Sequence, residues 1–298
     1  MIRYRIAMRK QISELSGKMI NYKKEHKYMG MSVEKHSIPL EERQLIAKRY
    51  KTITKAVNNS LWDSDSDSSH SFYVGSYGRG TAVSTSDIDV LIEVPGNFYV
   101  NSSYTTYNPQ SRLLQVVKKA ILESYPRSDI RGDGQVVVIE FSDGMKFEVL
   151  PAIKFTSLLI GEIYTYPDTH MGGKWLSTNP KAEQEAISII DRRTNGLFKD
   201  TCKHIRYIRD NYFSSYHLSG IVIDSFVFYA IGEWHYTFKG EQKCSSCETY
   251  EEYLLGCYNQ LFCNGQIIFN LNAPGSNLYV NTDRSIMCLG KVLNKMVG

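Results

Sequence analysis

The chain has 298 residues, 42% of them hydrophobic and 22% charged, which is enough for one large globular domain or two ordinary ones with a sizeable core. Six cysteines are too few for a disulfide scaffold. The longest apolar stretch, GIVIDSFVFYAIG, is too short to span a bilayer and carries Asp224, and with no apolar leader at the start a cytoplasmic protein is expected. Net charge is +4, unevenly spread. Residues 1–30 hold Arg3, Arg5, Arg9, Lys10, Lys18, Lys23, Lys24 and Lys27 against Glu14 and Glu25, so that segment carries +6 and the remainder −2. The body of the protein carries no strongly basic charge that would argue for duplex binding, and residues 1–30 leave nucleic acid open as a partner.

In chain order, LEERQLIAKRYKTITKAVNNSLW places Ile46, Tyr50, Ile53, Val57 and Leu61 at helical spacing and predicts one amphipathic helix. DSDSDSSHS is a serine-rich acidic loop without the glycine and distal glutamate of a calcium loop. DIDVLIEV alternates as a strand: Ile88, Val90, Ile92 and Val94 on one face, Asp87, Asp89, Leu91 and Glu93 on the other. SRLLQVVKKAILESY reads as a helix. QVVVIEF and KFEVLPAI read as strands joined by an Asp-Gly hairpin turn. Beyond Pro151 the pattern becomes helical, over segments near 181–194, 196–213, 220–238, 247–261 and 283–297. An α/β half, residues 1–160, is expected to precede a helical half, residues 161–298, with PDTHMGGKW as the most loop-like stretch near the boundary. Cys244, Cys247, Cys257 and Cys263 leave zinc open, although Cys257 also fits the apolar face of a helix.

The chemistry concentrates in GSYGRGTAVSTSDIDVLIEVP. Asp87 and Asp89 project from one face of a strand, where two carboxylates repel unless a divalent cation lies between them. Mg²⁺ suits a few carboxylates completed by phosphate oxygens and water. Upstream, Gly75 lets backbone N–H groups approach a phosphate and Ser76 adds a hydroxyl donor. A two-metal site wants a third carboxylate from a neighbouring strand. Glu148 supplies it if Phe147 and Val149 face the core, with Glu140 next in line.

This combination resembles the polymerase-β-like nucleotidyltransferases. The closer resemblance is to the bacterial CD-NTases (SMODS-type), the cyclic-oligonucleotide synthases of CBASS anti-phage defence related to animal cyclic GMP–AMP synthase. It is carried by VGSYGRGTAVSTSDIDVLIEVP, RGDGQVVVIEFSDGMKFEVLPA, YTYPDTHMGGKWLSTNP, CKHIRYIRDN and GIVIDSFVFYAI, over roughly residues 72–230. The FEVLPA and YPDT…GG.W..TNP patterns look most like a branch that makes cyclic GMP–AMP isomers.

The resemblance implies a mixed-sheet nucleotidyltransferase core followed by a helical (OAS-like) domain that completes the nucleotide cleft. It implies synthesis of a cyclic dinucleotide from ATP and GTP with two Mg²⁺ ions, Mn²⁺ being the substitute metal. Asp87, Asp89 and Glu148 are then the catalytic metal ligands, with Glu148 standing where many relatives have aspartate. Gly75, Ser76, Lys203 and Arg206 would contact the triphosphate, Arg209 being left to solvent. A serine followed by a base-stacking aromatic is either Ser225-Phe226, the preferred pair, or Ser215-Tyr216. Trp175 and Asn179 lie in the segment that lines the nucleotide cleft in relatives. Because some relatives are joined to a target through a terminal glycine, Gly298 points to a CBASS accessory or conjugation partner. The alternative is a nucleotidyltransferase acting on tRNA or protein, or one making linear oligonucleotides.

Overall fold

The computed structural model describes residues 21–23, 36–100, 108–157, 161–237, 249–263 and 265–298. Along the chain the principal elements begin with β1 (Asn21–Lys23), α1 (Leu40–Trp62), β2 (Ser71–Tyr73), α2 (Gly75–Arg79), β3 (Ile88–Glu93) and α3 (Pro109–Ser124). Next come β4 (Asp129–Asp133), β5 (Val136–Glu140), β6 (Lys146–Ser157), β7 (Gly161–Asp168) and β8 (Lys174–Thr178). The helical part holds α4 (Pro180–Arg193), α5 (Leu197–Tyr212), α6 (Gly220–Ala230), β9 (His235–Thr237), α7 (Tyr250–Leu261) and α8 (Ile286–Val297). Two compact units result: Ile38–Ala182, and Glu183–Gly298 together with the described residues up to Ser37.

The first unit is built on a mixed sheet in the order β2-β3-β6-β5-β4, extended by β7 and β8. Only β3 and β6 within it run parallel; its other pairings are antiparallel. One face of the sheet is covered. Ile88, Val90 and Ile92 of β3, Val137 and Ile139 of β5, and Phe147 and Val149 of β6 pack with Ile46, Ile53 and Val57 of α1 and Leu113, Val117 and Ile121 of α3. The two helices are amphipathic at the spacing their sequences show, and burying that stripe on the sheet is what makes them stable. On the opposite face Leu91 packs with Val74, Ala152 and Tyr164. The alternation of β3 thus holds as read, with the carboxylates on the thinly covered face.

The PDTHMGGKW stretch is not a boundary. Pro167 and Asp168 close β7, Lys174 and Trp175 open β8, and the two strands pair from Tyr164↔Thr178 to Asp168↔Lys174. The buried Asp168 carboxylate accepts from the His170 backbone N–H at 3.1 Å and lies 2.7 Å from its Nδ1, fixing the turn between them. The stretch lies inside the first unit, which runs to Ala182, and the helix read near 181–194 begins at Pro180.

The second unit packs α5, α6, α7 and α8 around Phe198, Ile205, Phe226, Val227, Leu254, Leu261, Leu289 and Leu293. The predicted 220–238 helix ends at Ala230, and His235–Thr237 instead pair in parallel with Asn21–Lys23. Cys257 is buried in α7 and Cys263 is exposed beyond its end, while Cys244 and Cys247 lie outside the described residues, as do residues 1–20 and 24–30 of the basic segment. No described helix is long and apolar enough to cross a membrane.

Candidate active site

β3 and β6 lie side by side with Asp89 opposite Glu148, Ile88 opposite Phe147 and Val90 opposite Val149. Because the strands are parallel and in this register, Asp89 and Glu148 stand on the same face about one strand spacing (~4.8 Å) apart in backbone. Asp87 precedes β3 on that face. Glu140, the fallback ligand, sits at the far end of β5 beside Arg131, 2.6 Å from its guanidinium, and is already partnered.

Gly75 explains the turn before the strand. Its φ is +57°, in the left-handed region, and a Cβ there would land on the Asp89 carboxylate. The Val74 N–H donates to the Asp89 carbonyl at 2.9 Å, tying the start of α2 to β3. The Ser76 carbonyl accepts from Thr81 and Ala82, which closes the turn and fixes Ser76 at the head of α2. The Gly-Ser pair and the strand carboxylate are therefore one packed unit.

Burial, then the nearby Glu148 and Asp87 charges, push the Asp89 carboxyl up to about 7, with Arg79 and Lys146 pulling the other way. A carboxylate this reluctant to ionise is one that a cation would stabilise. A cation is held by its two acidic neighbours. The Lys146 Nζ donates to Asp87 Oδ2 at 3.1 Å and to Glu148 Oε1 at 2.5 Å. Partial burial opposes its charge, but the bonds to Glu148 and Asp87 outweigh this and hold its pKa above the ordinary lysine value. With the ammonium between them, the acidic side chains do not close on one point: among the described residues no three His, Cys, Asp or Glu side chains form a ready metal cage. The donor set nonetheless fits Mg²⁺, with hard carboxylate oxygens on one half-open face and a positive charge already seated among them. Lys146 was missed in the sequence although the signal was there: it lies two residues before Glu148 on one strand, hence on the same face.

The residues expected to grip the nucleotide divide into those still available and those already committed. Lys203 is half-buried on α5 with its charge near the His36 ring. Arg206 is 1% exposed: its Nη1 donates to Asp224 Oδ1 at 2.7 Å and its Nη2 to the Gly220 carbonyl at 3.0 Å. The arginine therefore ties α5 to α6, and its guanidinium is not offered to a phosphate. A lone Asp224 inside an otherwise apolar helix was the clue, since a buried carboxylate must find a cation. Ser225 and Phe226 are likewise corrected. They are 1% and 0% exposed in the core of α6, a helix that is apolar on every side. Ser215 and Tyr216, the competing pair, are exposed in the turn between α5 and α6, where Arg209 Nη1 donates to the Leu218 carbonyl at 3.0 Å. Arg209 is thus a loop brace, not a solvated charge. Trp175 is half-buried against the sheet core. The Asn179 side-chain oxygen accepts from the Ala182 N–H at 3.2 Å and so caps α4.

A mixed sheet that sets an Asp-x-Asp strand beside a third carboxylate, with a Gly-Ser turn packed on the first, defines a nucleotidyltransferase. The family model described as Second Messenger Oligonucleotide or Dinucleotide Synthetase (SMODS) matches residues 34–190, and the chain belongs to that family. It is accordingly an enzyme that synthesises cyclic oligonucleotide second messengers. Solved structures share the fold at low identity. The STING-associated CdnE c-di-GMP synthase from Capnocytophaga granulosa has a TM-score of 0.59 at 15% identity, covering 89% of this chain and 83% of that one. The Elizabethkingia meningoseptica CdnE cyclic dinucleotide synthase, solved with GTP and Apcpp, has a TM-score of 0.55 at 16% identity over 85% and 89%. The Vibrio cholerae di-nucleotide cyclase DncV, solved with two aspartates separated by one residue changed to alanine, has a TM-score of 0.56 at 11% identity over 94% and 89%. No curated protein matches the chain in sequence.

Proposed function

We propose that the chain is a Mg²⁺-dependent cytoplasmic synthase that joins ATP and GTP into a cyclic GMP–AMP isomer, acting in CBASS anti-phage defence. The observation that carries the catalytic part is the Asp89↔Glu148 register on parallel strands, with Gly75 packed against Asp89. Asp87, Asp89 and Glu148 would hold Mg²⁺, or Mn²⁺ in its place. When bound, the metal ions neutralise the triphosphate and acidify the attacking ribose hydroxyl. The chain's own part is placement. Gly75 and Ser76 present the turn to the triphosphate, and the β3–β6 pair keeps three carboxylates on one face. Lys203, and Ser215 with Tyr216 in place of Ser225-Phe226, are the proposed nucleotide contacts of the helical unit; these and the choice of bases rest on sequence resemblance. Nucleotide substrates are also in keeping with the GTP and Apcpp in the Elizabethkingia structure.

The test is incubation of the purified chain with Mg²⁺ and labelled nucleotides, singly and in pairs. A phosphatase-resistant product that needs both ATP and GTP is expected, with nuclease P1 digestion and mass spectrometry giving its linkages. A cyclic product from ATP alone or from pyrimidine nucleotides would overturn the base assignment. A product formed equally well in EDTA would overturn the metal.

A further inference from the structure

Lys146 sits where a carboxylate site expects its metal. Its ammonium bridges Asp87 and Glu148, whose side chains are 47% and 27% exposed, while its own is 29% exposed. It comes from β6, 59 residues from Asp87 in sequence, and is held by the same register that sets Glu148 beside Asp89. A lysine is a point charge on a flexible stem, so it can leave its partners without disturbing the strand. We propose that Lys146 is a built-in counter-cation of the metal site: it neutralises Asp87 and Glu148 in the absence of metal and must be displaced when a divalent ion binds. The inference rests on the metal-site reading above.

Two consequences follow from charge alone. A free divalent ion competes with an ammonium already in place, so metal without nucleotide binds weakly. A metal arriving with a triphosphate brings a net negative charge, which gives the released ammonium an anionic partner, so the same displacement becomes easier. Lys146 thereby makes metal loading depend on nucleotide. Removing one close charge from a half-exposed carboxylate pair is worth up to roughly a tenfold change in affinity.

The experiment is Mn²⁺ binding to the full chain, followed by electron paramagnetic resonance, for wild type, Lys146→Met, Lys146→Arg and Asp89→Asn, with and without a non-hydrolysable ATP analogue. Lys146→Met should bind Mn²⁺ alone about tenfold more tightly than wild type, and the gap should shrink to within about threefold when the analogue is present. Lys146→Arg, which keeps the charge, should stay near wild type. A Lys146→Met protein that binds Mn²⁺ no more tightly than wild type, while Asp89→Asn loses binding, overturns the role of Lys146 and leaves the metal site standing. Retention of full Mn²⁺ affinity by Asp89→Asn overturns the metal-site reading and this inference with it. A measurement on the wild type alone covers the case of a misfolded variant: acetylation of Lys146, read by mass spectrometry, should rise as Mn²⁺ saturates the site. Unchanged reactivity at saturating Mn²⁺ overturns the displacement.

Discussion

Gly75 is the residue on which the turn and the strand carboxylate depend together. Alanine there meets two obstacles: a left-handed φ of +57° and a Cβ that would land on the Asp89 carboxylate. The backbone cost alone is about 1 kcal/mol, small beside the stability of a domain, so Gly75→Ala should still fold. The displaced carboxylate is the larger effect. A shift of about 1 Å in a reacting group costs on the order of a hundredfold, and turnover should fall by at least that much while the melting temperature drops only a few degrees. Turnover within tenfold of wild type would show that Asp89 does not need that packing. Arg206 calls for the opposite experiment. Removing one partner of the buried Arg206–Asp224 pair leaves an unpaired charge, so Arg206→Ala should lose about 3–5 kcal/mol in denaturant unfolding. A stable Arg206→Ala protein with a raised KM for nucleotide would return Arg206 to the phosphate.

At the scale of elements, the pairing of β3 with β6 decides which acidic side chain joins Asp87 and Asp89. Glu148→Gln keeps size and removes charge, so nucleotide binding should survive while turnover collapses. Glu148→Asp retracts the carboxylate by one methylene and should cost about a hundredfold. The expected order of rates is wild type, Asp, Gln, measured alongside calorimetry with an unreactive nucleotide analogue; normal turnover by Glu148→Gln would place the third ligand elsewhere. Much of this was legible beforehand. The period of two in DIDVLIEV and the Asp-Gly turn before KFEVLPA set both strands and the outward face of their carboxylates. The β7–β8 pair was not legible, because its glycine-rich connection resembles a linker and its strands show no clean alternation: Tyr164 and Pro167 of β7 are buried with half-exposed residues between them.

For the whole molecule, the pair His36–His204 is an acid-sensitive joint within the helical unit. His36 Nε2 lies 3.2 Å from His204 Nδ1, and both rings are buried. Burial, then the His36 charge, pulls His204 down to about 3; burial, then Lys203, lowers His36. An unfolded histidine titrates near 6.5, so below that pH the unfolded chain takes up protons that the folded pair refuses. Stability conferred by the neutral pair is therefore complete above about pH 6.5 and is lost as pH falls toward 3, by about 1 kcal/mol per pH unit for His204. Melting curves at pH 7.5 and 5.5 should show the loss, and His204→Phe should flatten it. An equal loss in that variant would assign the acid sensitivity to other groups.

The sequence by itself determined the amphipathic helices, the Asp-x-Asp strand, the Gly-Ser turn before it and the synthase family, because each is written in the spacing of near neighbours along the chain. Only the tertiary structure decided which of those side chains remain available. Arg206 and Ser225-Phe226 read as ligands until α5 and α6 pack together, and the bridge from Lys146 to Asp87 forms only once β6 lies beside β3. Local pattern fixes the faces of an element, whereas the partner each face meets is set by contacts between segments far apart in sequence. Those contacts put a charge into a buried pair, against a phosphate, or among three carboxylates.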